Sequence, residues 1–189
     1  MTMNLQALFE AYPQIESENI ILKEIQANHI DGLFKIYDND RVFTYCGIRP
    51  KHNKKTVENM IGHFRRDFNK KSRVKLGIFL KEEKHSLVGI IEVMDIRKKV
   101  ECATVGYYLA ESYWGKGIAT ESLGLLVDFL FKTVGFNRLQ AEVMVENKSS
   151  KRVLLNNGFQ KEGTIRQGAF WAGKGIVDLE VYGILKKDY

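Results

Sequence analysis

The amino-acid sequence predicts a mixed β-sheet covered by helices, an α/β or α+β sandwich. Three observations lead there. Strand-like segments stand in a row at residues 74–80, 87–96 and 101–110. The apolar period then changes to that of a helix between Ala119 and Val134, and strand-like segments return at 139–145, 160–171 and 176–185.

In chain order, residues 5–12 form a short amphipathic helix that Pro13 ends, and residues 19–25 (NIILKEI) form the first strand. Asn28 is placed to cap a helix, with Asp31 in the capping-box position and Ile30, Leu33, Phe34 and Tyr37 on its inner side. Residues 38–53 read as a loop, yet they hold Val42, Phe43, Tyr45 and Ile48. Long loops with aromatics act either as functional lids or as segments pinned to the core, and both readings stay open. A helix over 56–68 lines up Val57, Met60, Ile61, Phe64 and Phe68. The polar turn KEEKHS joins the next two strands as a hairpin. On the long helix Ala119, Leu123, Leu126, Leu130 and Val134 share the face that packs on the sheet. A short helix over 149–156 follows the 139–145 strand, and Asn157-Gly158 stops it.

At 189 residues the chain is expected to be one domain, 1–189, with residues 1–17 as an N-terminal extension. The net charge of +6, from 29 Lys and Arg against 23 Asp and Glu, invites an anionic partner such as nucleic acid, a ribosome, a membrane surface or a phosphorylated cofactor. The basic residues are scattered, as on a solvated surface, so nucleic-acid binding ranks last. Cys46 and Cys102 lack CxxC spacing and read as two buried thiols in a reducing cytosol. The N-terminus has no signal-peptide pattern, and no apolar run reaches the ~18 residues of a membrane span, so a cytoplasmic location without a membrane partner is expected. His29, His52, His63 and His85 show no metal-ligand spacing, and no metal is expected.

The chemistry concentrates where the 101–110 strand gives way to the long helix. Gly115 and Gly117 let the backbone approach a ligand with no Cβ in the way. The first N–H groups of the following helix, together with its dipole, make an anion site, and Lys116 adds a charge. The turn is neither a Walker loop, since GK followed by Ser or Thr is absent, nor a full G-x-G-x-x-G, because Thr120 stands at its last place.

Trp114-Gly115-Lys116-Gly117-Ile118-Ala119, followed by Thr120-Glu121, resembles the pyrophosphate loop of the GNAT acetyltransferase superfamily, Gln/Arg-x-x-Gly-x-Gly/Ala, with Trp114 at the first place. More narrowly it resembles the RimJ/RimL branch of ribosomal-protein N-terminal acetyltransferases. Two further segments agree in order: Asn147-Lys148-Ser149-Ser150 leading to Asn157-Gly158-Phe159, and Glu162-Gly163-Thr164-Ile165-Arg166 with Asp178 and Tyr182. The resemblance spans the chain from Asn19 onward.

The resemblance implies the GNAT fold: a mostly antiparallel mixed sheet with helices on both faces and a strand pair splayed by a bulge, where acetyl-CoA binds. Backbone groups of Tyr107, Tyr108 and Leu109 would bond the pantetheine arm. The diphosphate would sit on Trp114, Gly115, Lys116, Gly117, Ile118, Ala119 and Thr120. Asn147 would contact pantetheine or brace the next strand. The implied reaction moves acetyl from acetyl-CoA to a primary amine, either a protein N-terminal amine on a ribosomal protein or a small-molecule amine; homodimers are compatible with the branch.

That reaction needs a base for the amine and a proton donor for the leaving thiolate. The branch's donor position falls on Ser150, which competes with a purely capping role for Ser149 or Ser150. The usual acidic positions fall on Ala103 and Ala169, neither of which takes a proton. Glu92 is the substitute: alternation puts it on one face with Val88, Ile90, Met94 and Ile96, where desolvation would raise its pKa, unless an Arg or Lys pairs with it. Glu101 is a weaker candidate. A CoA-binding regulatory protein without catalysis is the alternative that the two alanines motivate. Phe43, Tyr45, Phe170 and Trp171, aromatics in loop-like places, are expected to line the acceptor side.

Overall fold

The computed structural model describes residues 3–83 and 86–189. Eight strands form one sheet in the order β1-β2-β3-β4-β5-β6-β8-β7. These are β1 Ile15–Glu16, β2 Ile20–Lys23, β3 Val74–Leu80, β4 Ser86–Arg97, β5 Cys102–Leu109, β6 Arg138–Met144, β7 Gln160–Trp171 and β8 Gly175–Leu185. Every neighbouring pair is antiparallel except β5–β6, which is parallel. The parallel step is joined through a helix, as a parallel crossover requires.

Apolar residues gather on the two faces of this sheet. On one face Leu123, Leu126, Val127 and Leu130 pack on Val93, Ala103, Val105, Leu139 and Ile184. The helix that carries them, α4 (Ile118–Phe129), runs on as a π-turn over Leu130–Val134. Two shorter helices share that face, α1 (Gln6–Phe9) and α5 (Lys148–Asn156). The other face carries α2 (Ile30–Tyr37) and α3 (Lys54–Asn69), whose Leu33, Ile36, Val57 and Phe64 meet Phe79, Ile90 and Tyr108.

The N-terminal segment belongs to the core. Leu8 and Phe9 are buried, Tyr12 stacks on Phe68 at 3.9 Å, and β1 adds a strand too short to be legible in the sequence. At the start of α2 the expected cap at Asn28 does not form. A 3-10 turn over Ala27–His29 precedes the helix, and His29 Nδ1 accepts from the Gln26 N–H at 2.9 Å, so the local pairing is made one step earlier. The α3 helix begins two residues before the expected Thr56, because Asn53 Oδ1 caps it by accepting from the Thr56 N–H at 3.0 Å. Of the KEEKHS turn, Lys84 and His85 lie outside the described residues; the strands it joins do pair as a hairpin.

The loop over residues 38–53 is pinned. Val42 and Phe43 are buried, and Phe43 stacks on Tyr37 with ring centres 5.2 Å apart. No helix among the described residues is long and apolar enough to cross a membrane.

Candidate functional site

The β5–β6 pairing is short. Cys102, Ala103 and Thr104 face Arg138, Leu139 and Gln140, and beyond them the strands part. β5 continues to Leu109 against β4 alone, while β6 continues to Met144 against β8 alone. The splayed pair is therefore present, but no bulge in β5 causes it. From Thr104 to Leu109 the β4–β5 register is regular, and its one shift falls between Met94 and Arg97, opposite Ala103 in the closed part of the β5–β6 pairing. Asp95, with φ of +51°, marks that kink.

Backbone alternation decides which groups face the gap. The Ala110 N–H donates to the Val88 carbonyl at 2.9 Å, so residues two apart, Tyr108 and Gly106, also address β4. Tyr107 and Leu109 turn their backbone groups toward the gap. Tyr108 does not: its backbone belongs to the β4 ladder opposite Ile90, and its side chain lies buried on the α2 face, its hydroxyl 2.6 Å from that of Tyr37. The expected backbone trio is thus reduced to Tyr107 and Leu109.

At the end of β5 the chain enters the glycine turn. Gly115 and Gly117 have φ of +74° and +79°, the left-handed region that side chains adopt at a cost, and a Cβ on either would meet nothing within 4 Å. The turn is thus open to a ligand. Gly117 is the N-cap of α4, so the N–H groups of Ile118, Ala119 and Thr120 point out of the helix into this space. Trp114 folds back on β5, its indole N–H donating to the Leu109 carbonyl at 3.0 Å. The residue that departs from the loop pattern therefore ties the turn to the strand. Lys116 extends its ammonium over the Tyr113 ring. The Asn157 amide donates to the Thr120 carbonyl at 3.1 Å and braces α4 against α5.

On the α4 face, α5 lies beside β5. Its cap is Asn147, whose Oδ1 accepts from the Ser150 N–H at 3.1 Å, so neither Ser149 nor Ser150 is the cap. The Ser150 hydroxyl lies 3.0 Å from the Tyr107 hydroxyl, which also donates to the Ser150 carbonyl at 3.1 Å. Burial pushes the Tyr107 phenol up, although its bond to Ser150 opposes the shift. Beneath the same helix Glu180 is buried and holds the ammonium groups of Lys161 at 2.7 Å and Lys151 at 2.8 Å, with the Tyr182 hydroxyl at 3.0 Å. Burial pushes this carboxyl up, but the three donors outweigh it and bring it down to about 2.

On the opposite face Glu92 crosses β5 at Gly106. A Cβ at Gly106 would lie 3.4 Å from Glu92 Cγ and 3.5 Å from Glu92 Oε1, so the absence of a side chain there makes room for the carboxylate. Of the two readings the sequence left open for Glu92, the pairing with an Arg or Lys is the one present: Lys75 Nζ lies 3.1 Å from Glu92 Oε2 and Arg73 Nε 3.7 Å. Val88 is not on that face, because an irregularity opposite Ile78 and Phe79 turns it into the α4 core. Beside this group sits Cys46, which donates to the Val42 carbonyl and whose thiol burial pushes up to about 12.

The two alanines are explained differently. Ala103 is buried in the closed part of the β5–β6 ladder, under α4, where a carboxylate would have no route to a substrate. Ala169 lies on β7 opposite Val177. Glu101, with φ of +48°, ends a turn and lends its carbonyl to Asn137 and Arg138.

The acceptor-side aromatics divide. Phe43 is a core residue, stacked on Tyr37 and tilted against Tyr108, and offers no free face. Trp171 lies over Gly47, and Lys174 Nζ sits 4.8 Å above the Tyr45 ring, so the tip of the β7–β8 hairpin is clasped to the 38–53 loop. Phe170 is exposed on that hairpin. A groove of about 1080 Å³ lies elsewhere, lined among others by Lys23, His29, Lys35 and Glu111. Among the described residues no three His, Cys, Asp or Glu side chains gather as metal ligands.

Comparison with known proteins accounts for this geometry. Residues 19–160 match the acetyltransferase (GNAT) domain family. The chain is 31% identical over 175 residues to the uncharacterized N-acetyltransferase YoaA of Bacillus subtilis, covering 93% of this chain and 98% of that one. It is 26% identical over 161 residues to the ribosomal-protein-serine acetyltransferase of Escherichia coli, covering 82% and 86%. Its fold superposes with a TM-score of 0.83 on Mycobacterium smegmatis RimJ in complex with CoA-disulfide, at 20% identity over 100% of this chain and 91% of that one. The chain belongs to the GNAT acetyltransferase family and is an acetyl-CoA-dependent N-acetyltransferase.

Proposed function

We propose that this enzyme acetylates the N-terminal amine of a protein, a ribosomal protein foremost, with Glu92 as the base and Ser150 as the proton donor. The observation that carries the reading is the placement of these two groups on opposite faces of β5, next to the stretch where β5 and β6 part. Pantetheine would lie along the gap on the backbone of Tyr107 and Leu109. The diphosphate would meet the open N–H groups from Gly115 to Thr120, with the helix dipole of α4 opposing its charge. The amine would approach from the α2–α3 face, where Glu92 takes up a proton, while Ser150 serves the thiolate from the α5 face.

Two relatives support a protein acceptor. The Escherichia coli protein named above is a ribosomal-protein-serine acetyltransferase, and a ribosomal protein uS5-alanine N-acetyltransferase of the same organism is 29% identical over 99 residues. Tyr45, Phe170 and Trp171, on the clasped loop and hairpin, are the residues proposed to meet the acceptor chain. A cytoplasmic location and a homodimer fit a ribosomal substrate and are carried as part of the same reading.

Thiol release from acetyl-CoA, measured with synthetic peptides beginning in Ser or Ala and with spermidine, tests the acceptor class. The peptides are expected to exceed spermidine by about 100-fold in kcat/KM; the reverse order would establish a small-amine enzyme. Glu92→Gln is expected to lower kcat by roughly 100-fold on whichever acceptor is used. An unchanged kcat would remove Glu92 from the base role.

A further inference from the structure

Tyr107 offers one phenolic hydrogen to two acceptors, the Ser150 carbonyl at 3.1 Å and the Ser150 hydroxyl at 3.0 Å. The two choices differ in where the serine's own hydrogen points. With the phenol bonded to the carbonyl, the Ser150 hydroxyl donates back to the phenol oxygen, and its hydrogen is turned away from the gap. With the phenol bonded to Ser150 Oγ, the serine hydrogen is released to another acceptor. Ser150 cannot swing off freely. Its N–H is held by the Asn147 cap, and its helix is tied to β8 through Lys151 and Glu180.

We propose that Tyr107 is a positioning residue that acts through Ser150: as the C–S bond breaks, its phenol donates to Ser150 Oγ and aims the serine hydrogen at sulfur. This rests on the reading of Ser150 as the proton donor. In the full step, the amine lone pair forms the C–N bond and the C–S electron pair leaves on sulfur. Ser150 gives its proton to sulfur; of the two protons the ammonium loses, one goes to Glu92 before attack and the other restores Ser150. The phenol stays protonated throughout, because burial disfavours its anion. It supplies a fixed donor next to oxygen at the moment that oxygen gains negative charge, which is when a preorganised hydrogen bond lowers a barrier.

The adjacent residue shows what the arrangement requires. Tyr107 and Tyr108 point to opposite faces of the sheet, one to Ser150 and one to Tyr37. Only a strand that has lost its β6 neighbour at this level can present both its backbone and this phenol to one ligand.

A test independent of any acceptor follows the titration of the thiol of bound CoA against that of free CoA. Thiolate absorbance is read against a desulfo-CoA blank, for the wild type, Tyr107→Phe, Ser150→Ala and the double variant, with CoA affinity measured at pH 6 where the thiol is neutral. The expected result is a bound thiol titrating below the free one. Each single variant would raise it by roughly one unit, a tenfold loss of thiolate affinity, with the double variant no higher than Ser150→Ala. Affinity at pH 6 should stay within about twofold for Tyr107→Phe, which retains the ring. If Ser150→Ala shifts the titration and Tyr107→Phe does not, or if the two shifts add, the Tyr107 inference is overturned and the Ser150 reading stands. If Ser150→Ala causes no shift, the donor reading itself fails, and the inference with it.

Discussion

Single residues at this site are set by what surrounds them more than by what they are. Glu92 reads in the sequence as an acid among Ile90 and Met94, either bare or paired with an Arg or Lys; the partner, Lys75, arrives from β3 at a register position that no local pattern reveals. Glu180 is the opposite case. It drew no notice in the sequence, but two lysines from different elements and one tyrosine converge on it. A carboxyl brought down to about 2, against an ordinary value of 4.5, stabilises the fold fully above pH 4.5, and the contribution is lost as pH falls from there toward 2. Glu180→Gln should therefore lower stability by about 2 kcal/mol at pH 7, the worth of hydrogen bonds to a charged group. It should also flatten the acid limb of the stability curve between those two pH values. Chemical denaturation across pH 2–7 checks both; a parallel displacement of the whole curve would show that Glu180 does not titrate as described.

At the scale of elements, α5 joins stability to chemistry. Nine residues make a marginal helix on their own, so its start depends on the Asn147 cap and its seat on Lys151 and Leu154. Asn147→Ala should cost about 1 kcal/mol of stability and lower Tm by about 2–4 °C. If Ser150 is the donor, kcat should fall by roughly tenfold as the first turn frays and the hydroxyl loses its place. Asn147→Asp keeps the accepting oxygen and should recover most of both losses. Thermal melts and steady-state rates on the three proteins decide the matter, and equal loss in the Ala and Asp variants would count against the cap. The existence and type of α5, and its glycine stop at Gly158, were legible in the sequence because they follow from local chemistry. The identity of the cap was not, because serine and asparagine are near equals at that position and only the helix's first residue separates them.

At the scale of the molecule, the proposed donor site depends on a sheet that stays open in its middle. Three β5–β6 residue pairs hold, and then two strands with complete partners on their outer sides diverge. An unpaired strand side leaves backbone donors exposed. The amides of Tyr107 and Leu109 should exchange with solvent rapidly in the free protein and slowly with CoA bound, while that of Tyr108, held by β4, should be protected in both. Hydrogen exchange read by NMR tests this, and equal protection of all three amides in the free protein would refute the alternation.

The sequence alone determined the element order, β1 excepted, and the helix-capping glycine turn with its capacity for an anion, because each arises within a dozen residues from period, glycine placement and the open N–H groups of a helix start. Acetyl-CoA was implied by the resemblance of three ordered segments to the family. Tertiary structure decided which backbone groups face the gap, why Trp114 serves where Gln or Arg is usual, that Lys75 accompanies Glu92, and that Phe43 belongs to the core. Those are matters of register and of side chains meeting from distant segments. Pairing is fixed only when the whole sheet buries its two faces at once.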